Sequence, residues 1–193
     1  MIAALAGRRI DATGAPSSRF PVAQIESVQS RIRQRLEADG VRALVCAAAC
    51  GADLVALAAA SELGLRRRLV LPVAVELFRE RSVVDRPGPH PWGALYDRFV
   101  REARAANDLI VLDLAADDPK MYEIANEAIL DSALALAAQE DDESEALVVW
   151  DGPHGAAVDY SAQFAREAER RRMSVKNLGI LSAGKPWPLR EKA

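Results

Sequence analysis

The sequence has few of the residues that hold together disulfide-rich or zinc-binding proteins. Its 193 residues include only two cysteines and two histidines. Cys46 and Cys50 lie four apart in an apolar stretch, without a second cysteine pair or a histidine at metal-ligand spacing. A disulfide framework and a zinc site both need more of these residues. We therefore expect a reducing, cytoplasmic compartment, no metal and no cofactor.

The sequence also has few aromatic residues, no excess of positive charge and few long hydrophobic runs. Aromatic residues make up 5% of the chain, and the net charge is −3. Binding to a phosphate backbone needs a basic face, so the composition predicts that no nucleic acid polymer is a partner. The apolar run near the N-terminus is short and precedes its arginines, which is typical of neither a signal peptide nor a membrane span. No membrane partner is expected.

Short apolar runs alternate with amphipathic stretches of helix length. Most runs are apolar continuously rather than at every second residue, as in strands that helices cover on both faces. This rhythm predicts an α/β fold, a Rossmann-like three-layer sandwich with a mostly parallel central sheet. The length favours one domain over residues 1–193. The predicted strands are 2–6, 42–47, 68–74, 108–114, 146–150 and 178–182.

The stretches between these runs predict five helices. Glycines at the ends of the first two are usual C-terminal signals. Arginine triplets at 66–68 and 170–172 are expected to be solvated caps at helix ends. The proline-rich stretch 79–93 is either a binding loop or an ordered surface excursion. The predicted helices are 21–40, 52–64, 91–108, 120–139 and 155–173.

Residues just after each strand are the candidates for a site, because ligands of open parallel sheets bind beyond the carboxyl ends of the strands. Gly7, Arg8 and Arg9 follow the first strand. A glycine lets the backbone approach a ligand closely, and an arginine can donate two hydrogen bonds to a phosphate or carboxylate. The alternative is a glycine that ends a strand and two solvated arginines.

Cys50, Gly51 and Asp53 follow the second strand, where a helix begins. Free amides at a helix start favour an anion, but a carboxylate in the first turn already satisfies the helix dipole and would repel a phosphate. Asp53 is therefore expected to accept hydrogen bonds from ribose hydroxyls or to cap the helix.

Four further candidates come from the third strand and from a later helix. Pro72 ends the third strand, and Ser82 lies within reach of the sheet edge. Tyr122 and Asn126 are four residues apart, so they share one helix face. They point either into the cleft or, for Tyr122, against the core with the hydroxyl in water.

A glycine turn follows the fifth strand. Asp151, Gly152 and Gly155 form a tight turn, and the amides of Gly155 and Ala156 would open the next helix towards a phosphate. Asp159 lies about one helical turn further on and would share the face of the helix start. Its carboxylate is the candidate catalytic base, or else a ligand for a sugar hydroxyl.

The order of these segments resembles the SLOG superfamily, Rossmann-like domains named after the Smf/DprA proteins and the LOG phosphoribohydrolases. The resemblance covers roughly residues 4–175 and is strongest to the SLOG-like domains found beside nucleotide cyclase and repeat modules in bacteria. The segments that carry it are "GRRID", "CGADLVALAAASELG", "LVLPVAVELFRERSVVD", "DLIVLD", "YEIANEAILDSALALAA" and "ALVVWDG".

The resemblance implies binding of nucleotides or nucleotide-derived ligands, and in some members hydrolysis of the bond between base and ribose phosphate. LOG enzymes carry PGGxGTxxE at the last turn. Here Gly152 and Gly155 match two of its glycines, whereas Pro153, Ala156 and Asp159 replace the third glycine, the threonine and the glutamate. The match therefore favours binding over hydrolysis.

Three hypotheses follow from the sequence. The first is a binding or sensor domain for a nucleotide-like small molecule, with phosphate near residues 152–157 and ribose near Asp53. The second is an N-glycosidic hydrolase acting on nucleoside monophosphates, with Asp159 in the mechanism. The third is a scaffold or homo-oligomer, because the alanine-rich helix face in 129–138 could pack against another subunit.

Overall fold

A computed structural model describes residues 1–15, 17–86, 90–152 and 159–180. In these residues six strands pair in parallel in one sheet. The predicted α/β class with a parallel central sheet is confirmed. The strands are β1 Ile2–Gly7, β2 Ala43–Cys46, β3 Arg66–Leu71, β4 Leu109–Val111, β5 Ser144–Val149 and β6 Ser174–Asn177.

Helices cover both faces of the sheet and make the three layers. Alternate residues of β1 point to opposite sides: Ala3 and Leu5 pack against one helix layer, whereas Ile2 and Ala4 pack against the other. Glycines with positive φ follow the first two helices, as predicted. The helices are α1 Ile25–Ala38, α2 Ala52–Glu62, α3 Val75–Ser82, α4 Trp92–Ala105, α5 Met121–Gln139 and α6 Tyr160–Arg170.

The strand order β4-β3-β2-β1-β5-β6 places a topological switch point between β1 and β5. The chain winds outward from β1 to β4 and then returns to the other side of β1. The connections that leave β1 and β5 therefore separate towards opposite faces, which opens a crevice at the carboxyl ends of these strands. Gly7 and Arg8, at the end of β1, and Asp151 and Gly152, just after β5, lie at this crevice.

The predicted sixth strand at 178–182 is wrong. β6 lies earlier, at Ser174–Asn177, and Leu178 and Ile180 pack in the core just beyond it. β6 is an edge strand, so its residues need not be apolar on both faces and a search for apolar runs overlooks them. Residues 181 and 182 lie outside the described part of the chain.

Two helix boundaries also need correction. Arg66–Arg68 form the first half of β3, not a helix end, because Arg66 and Arg68 pair with the buried carboxylate of Asp108. The proline-rich stretch begins later than predicted, because α3 extends to Ser82. Arg170–Arg172 do follow the end of α6, and Arg171 pairs there with Asp131.

Candidate functional site

A cavity of about 230 Å³ lies at the carboxyl ends of β1, β2 and β3, between the two helix layers. The strands contribute their last residues and those just beyond, and α2, α3, α5 and α6 contribute the walls. Seven of the residues predicted from the sequence line it: Gly7, Arg9, Asp53, Pro72, Ser82, Tyr122 and Asn126. The other lining residues include Leu5, Ala6, Ala47, Ala49, Phe78, Ala125, Ile129, Tyr160 and Ser161.

Aromatic rings form part of the cavity wall. Phe78 of α3, Tyr122 of α5 and Tyr160 of α6 all line it, and the rings of the two tyrosines are 5.2 Å apart at 54°. Flat apolar surfaces of this kind suit a planar heterocycle. Sequence reasoning missed Tyr160 and Ser161, although their position directly after the glycine turn was a usable signal.

Asp53 is the buried carboxyl group of the cavity. Its side chain lies in the first turn of α2 and is 7% exposed, and its Oδ2 accepts a hydrogen bond of 3.1 Å from the Ala49 amide. Burial raises the pKa of Asp53 to about 7, although the Ala49 amide and the charge of Arg9 act in the opposite direction. The group can therefore change its charge near neutral pH.

Amide and hydroxyl groups complete the polar lining. The Ser82 and Tyr122 hydroxyl oxygens are 3.4 Å apart. The Asn126 Nδ2 donates to the Tyr160 carbonyl at 2.9 Å and to the Gln163 Oε1 at 2.7 Å. These bonds fix the Asn126 amide and use both of its protons, so its oxygen is left as an acceptor.

Arg9 also lines the cavity, and Cys50 and Gly51 contact it. The guanidinium pairs with Asp85 and lies 3.5 Å from the Cys50 sulfur. Burial raises the pKa of the Cys50 thiol more than the nearby Arg9 charge lowers it. Gly51 forms an isolated bridge with Arg9. Cys50 and Gly51 thus position Arg9 and do not line the cavity.

A second polar cluster lies at the switch point itself. Arg19 donates from two nitrogens to Asp151, each at 2.9 Å, and also to the Gly152 carbonyl at 3.1 Å. Arg8 lies 3.5 Å from the same carboxylate. Burial and the charge of Arg19 lower the pKa of Arg8. Two guanidinium groups thus share Asp151, and no sequence pattern pointed to Arg19.

Asp159 has a different position from the predicted one. α6 begins at Tyr160, and Asp159 is its N-cap rather than a residue one turn inside the helix. Its Oδ1 accepts from the Ala162 amide at 3.0 Å and its Oδ2 from the Trp150 indole at 2.8 Å. Asp159 does not line the cavity. Gly155 and Ala156 lie outside the described residues.

Residues 1–15, 17–86, 90–152 and 159–180 contain no group of three histidine, cysteine or acidic side chains placed to hold a metal ion. None of the helices in these ranges has both the length and the apolarity needed to cross a bilayer.

Comparison with known proteins gives a likeness of fold only. No protein-family model matches the chain, and no curated protein matches it. Among solved structures, it is similar to DNA processing protein A (DprA) from Streptococcus pneumoniae, with 15% identity and a TM-score of 0.41. The similarity covers 90% of this chain and 57% of that one, so the chain spans little more than half of that protein's length.

The exclusion of nucleic acid polymers as partners is wrong. A protein described as DNA processing is among the solved structures to which this chain is similar. The physical reason for the error is that a net charge of −3 sums over the whole chain and does not describe where its arginines lie. Arg8, Arg9 and Arg19 lie at one end of the sheet despite the acidic total.

Proposed function

We propose that the cavity binds a nucleotide-derived small molecule, as in the SLOG-like domains that the sequence resembles. The base and ribose would occupy the cavity, and the phosphate would lie towards Arg8 and Arg19. The observation that carries this proposal is the aromatic-walled cavity at the carboxyl ends of β1, β2 and β3, whose lining residue Gly7 precedes Arg8, one of two arginines that share Asp151.

The size of the cavity restricts the ligand class. Pockets for drug-sized ligands have volumes of roughly 300 to 1,000 Å³. The volume of about 230 Å³ lies below this range, so it suits one nucleoside rather than a dinucleotide. A phosphate attached to that nucleoside would have to lie outside the cavity, where Arg8 follows the lining residue Gly7.

Two measurements test this proposal. Mass spectrometry of small molecules released from the purified protein would identify a ligand that copurifies with it. Calorimetric titration against nucleosides, nucleoside monophosphates and cyclic nucleotides is expected to show binding, tighter for a nucleotide than for its nucleoside. A folded protein that binds no member of the panel and releases no nucleotide would contradict the proposal.

Arg19→Gln is expected to weaken binding of a nucleoside monophosphate by about tenfold or more, since hydrogen bonds to charged groups contribute roughly 1.5 to 3 kcal/mol. Binding of the parent nucleoside should not change, because the guanidinium acts on the phosphate. Arg101→Gln, on the exposed face of α4, is the matched control. Equal losses for nucleoside and nucleotide would contradict this role.

The hydrolase hypothesis depends on Asp159, whose contacts are those of a helix cap. Both carboxylate oxygens already accept hydrogen bonds, one of them from the helix that the residue caps. Asparagine is nearly as good an N-cap as aspartate, so Asp159→Asn keeps the helix start. Release of free base from nucleoside monophosphates, lost in this variant, would establish hydrolysis.

Homo-oligomer formation stays a prediction. The apolar face of α5 that suggested it, including Ile129, Leu130 and Ala133, packs against the chain's own sheet. An interface between copies would therefore need another surface.

A further inference from the structure

Asp53 has one carboxylate oxygen without a protein partner. Oδ2 accepts from the Ala49 amide, whereas Oδ1 accepts no hydrogen bond from any described residue. Oδ1 is not sealed from solvent, so it is open to the cavity that Asp53 lines. A buried carboxylate oxygen in this position needs a donor from a ligand or from water.

Asn126 is a second acceptor in the lining. The Asn126 amide donates both of its protons to protein oxygens, so its Oδ1, an acceptor, is the atom it can offer a ligand. Arg9, the cation of the lining, donates from Nη2 to Asp85 and towards the Cys50 sulfur, and its Nε has no partner among the described residues. The lining hydroxyls can donate or accept, whereas Asp53 and Asn126 can offer a ligand only acceptors, which favours ligands that present N–H or O–H donors to them.

We propose that Asp53 is the specificity-determining residue of the cavity, and that its ionised carboxylate accepts a hydrogen bond from an amino or hydroxyl group of the ligand. This inference rests on the proposed function. It assigns the ligand class as nucleosides with a donor group, either the exocyclic amine of the base or a ribose hydroxyl. Analogues of the same shape that lack this donor group leave the Asp53 Oδ1 unpaired, so they bind more weakly.

The recognition is proton-linked. Burial raises the pKa of Asp53 to about 7, so the carboxyl group is ionised in about half of the molecules at neutral pH. A ligand that binds only the ionised form then binds about tenfold more tightly at pH 8 than at pH 6. The sign is fixed: affinity rises as pH rises, because protonation removes the acceptor.

The groups around Asp53 that carry charge or titrate come from several elements. Arg9, after β1, is a permanent cation, and burial together with the Asp53 charge raises the pKa of the Cys46 thiol of β2 well above its usual range. α5 and α6 contribute the hydroxyls of Tyr122 and Tyr160, and α3 contributes no titratable residue to the lining. Asp53 is therefore the group that changes charge between pH 6 and pH 8.

Calorimetric titration with adenosine, guanosine, cytidine and uridine at pH 6, 7 and 8 tests the inference. Nucleosides are used because a phosphate monoester would itself titrate near pH 6. The preferred nucleoside should bind about tenfold more tightly at pH 8 than at pH 6. At pH 7, buffers of different ionisation enthalpy should reveal release of about half a proton on binding.

Asp53→Asn should abolish both the pH dependence and the proton release, while Asp117→Asn, an exposed residue, should preserve them. Inosine in place of guanosine, purine riboside in place of adenosine, and the 2′- and 3′-deoxynucleosides identify which donor is read. A wild-type affinity that does not depend on pH, or the same dependence in Asp53→Asn, overturns the inference and leaves the proposed function intact. Absence of nucleoside and nucleotide binding at every pH overturns both.

Discussion

Gly51→Ala is expected to lower the free energy of unfolding by about 3 kcal/mol or more. Gly51 has φ of +118°, where residues with a side chain are strained. A Cβ there would lie 2.6 Å from the Arg8 carbonyl oxygen and 2.6 Å from the Ile10 amide nitrogen. Both are backbone atoms, so rotation of a side chain cannot relieve the contact.

Gly51 joins the connection after β1 to the start of α2. The Ala52 amide donates to the Arg8 carbonyl at 3.0 Å, and the Ile10 amide donates to the Cys50 carbonyl at 3.1 Å. Separating these segments would also move Arg9 and Asp53 apart, so ligand binding should weaken together with stability.

Chemical denaturation measures the loss, and Gly64→Ala is the matched control. Gly64 follows the other end of α2 with φ of +68°, and a Cβ there meets no atom within 4 Å. We expect this variant to lose about 1 kcal/mol, from backbone strain alone. Equal losses in the two variants would show that the close approach at Gly51 is not needed.

Asp108→Ala is expected to cost about 3 kcal/mol of stability, because it leaves two arginines without their shared partner. The Asp108 side chain is 3% exposed and accepts from Arg66 at 2.7 and 2.8 Å and from Arg68 at 2.9 Å. Asp97→Ala is the control, since its pair with Arg79 is solvent-exposed and worth at most about 1 kcal/mol. A smaller loss for Asp108 than for Asp97 would contradict the account.

The same residue gives a pH dependence with a definite sign. Burial alone would raise the pKa of Asp108, but hydrogen bonds from Arg66 and Arg68 lower it below its usual value. The stabilisation is complete above the pKa of the unfolded chain, about 4, and is lost as pH falls through the lower folded pKa. Asp108→Asn should therefore flatten the acid side of the stability profile, and an unchanged profile would show that other carboxylates cause it.

Much of the fold could be predicted because the inner strands carry an unambiguous pattern. β1, β2 and β5 are buried over nearly their whole length, so continuous apolar runs identify them. β6 escaped because an edge strand has no such constraint. α3 escaped because it is short and buries only Phe78 and Ser82.

The residues of the candidate site could be predicted only where the topology of a parallel sheet determines their position. Parallel strands bring their carboxyl ends to one edge, which is why Arg9, Asp53 and Asn126 meet in one cavity. Arg19 was missed because it lies far along the β1–α1 connection and meets Asp151 across 132 residues. Sequence spacing carries no information on such a contact.

Filling the cavity tests the central claim most directly. Ala47 lines it just after β2 and is only half-buried, so the larger side chain of Ala47→Leu would occupy the open space. Calorimetric titration with the nucleotide that the wild type binds most tightly should show binding abolished in Ala47→Leu and unchanged in Ala115→Leu, an exposed control. Unchanged affinity in a folded Ala47→Leu protein would show that the ligand binds elsewhere and that this cavity is not the site.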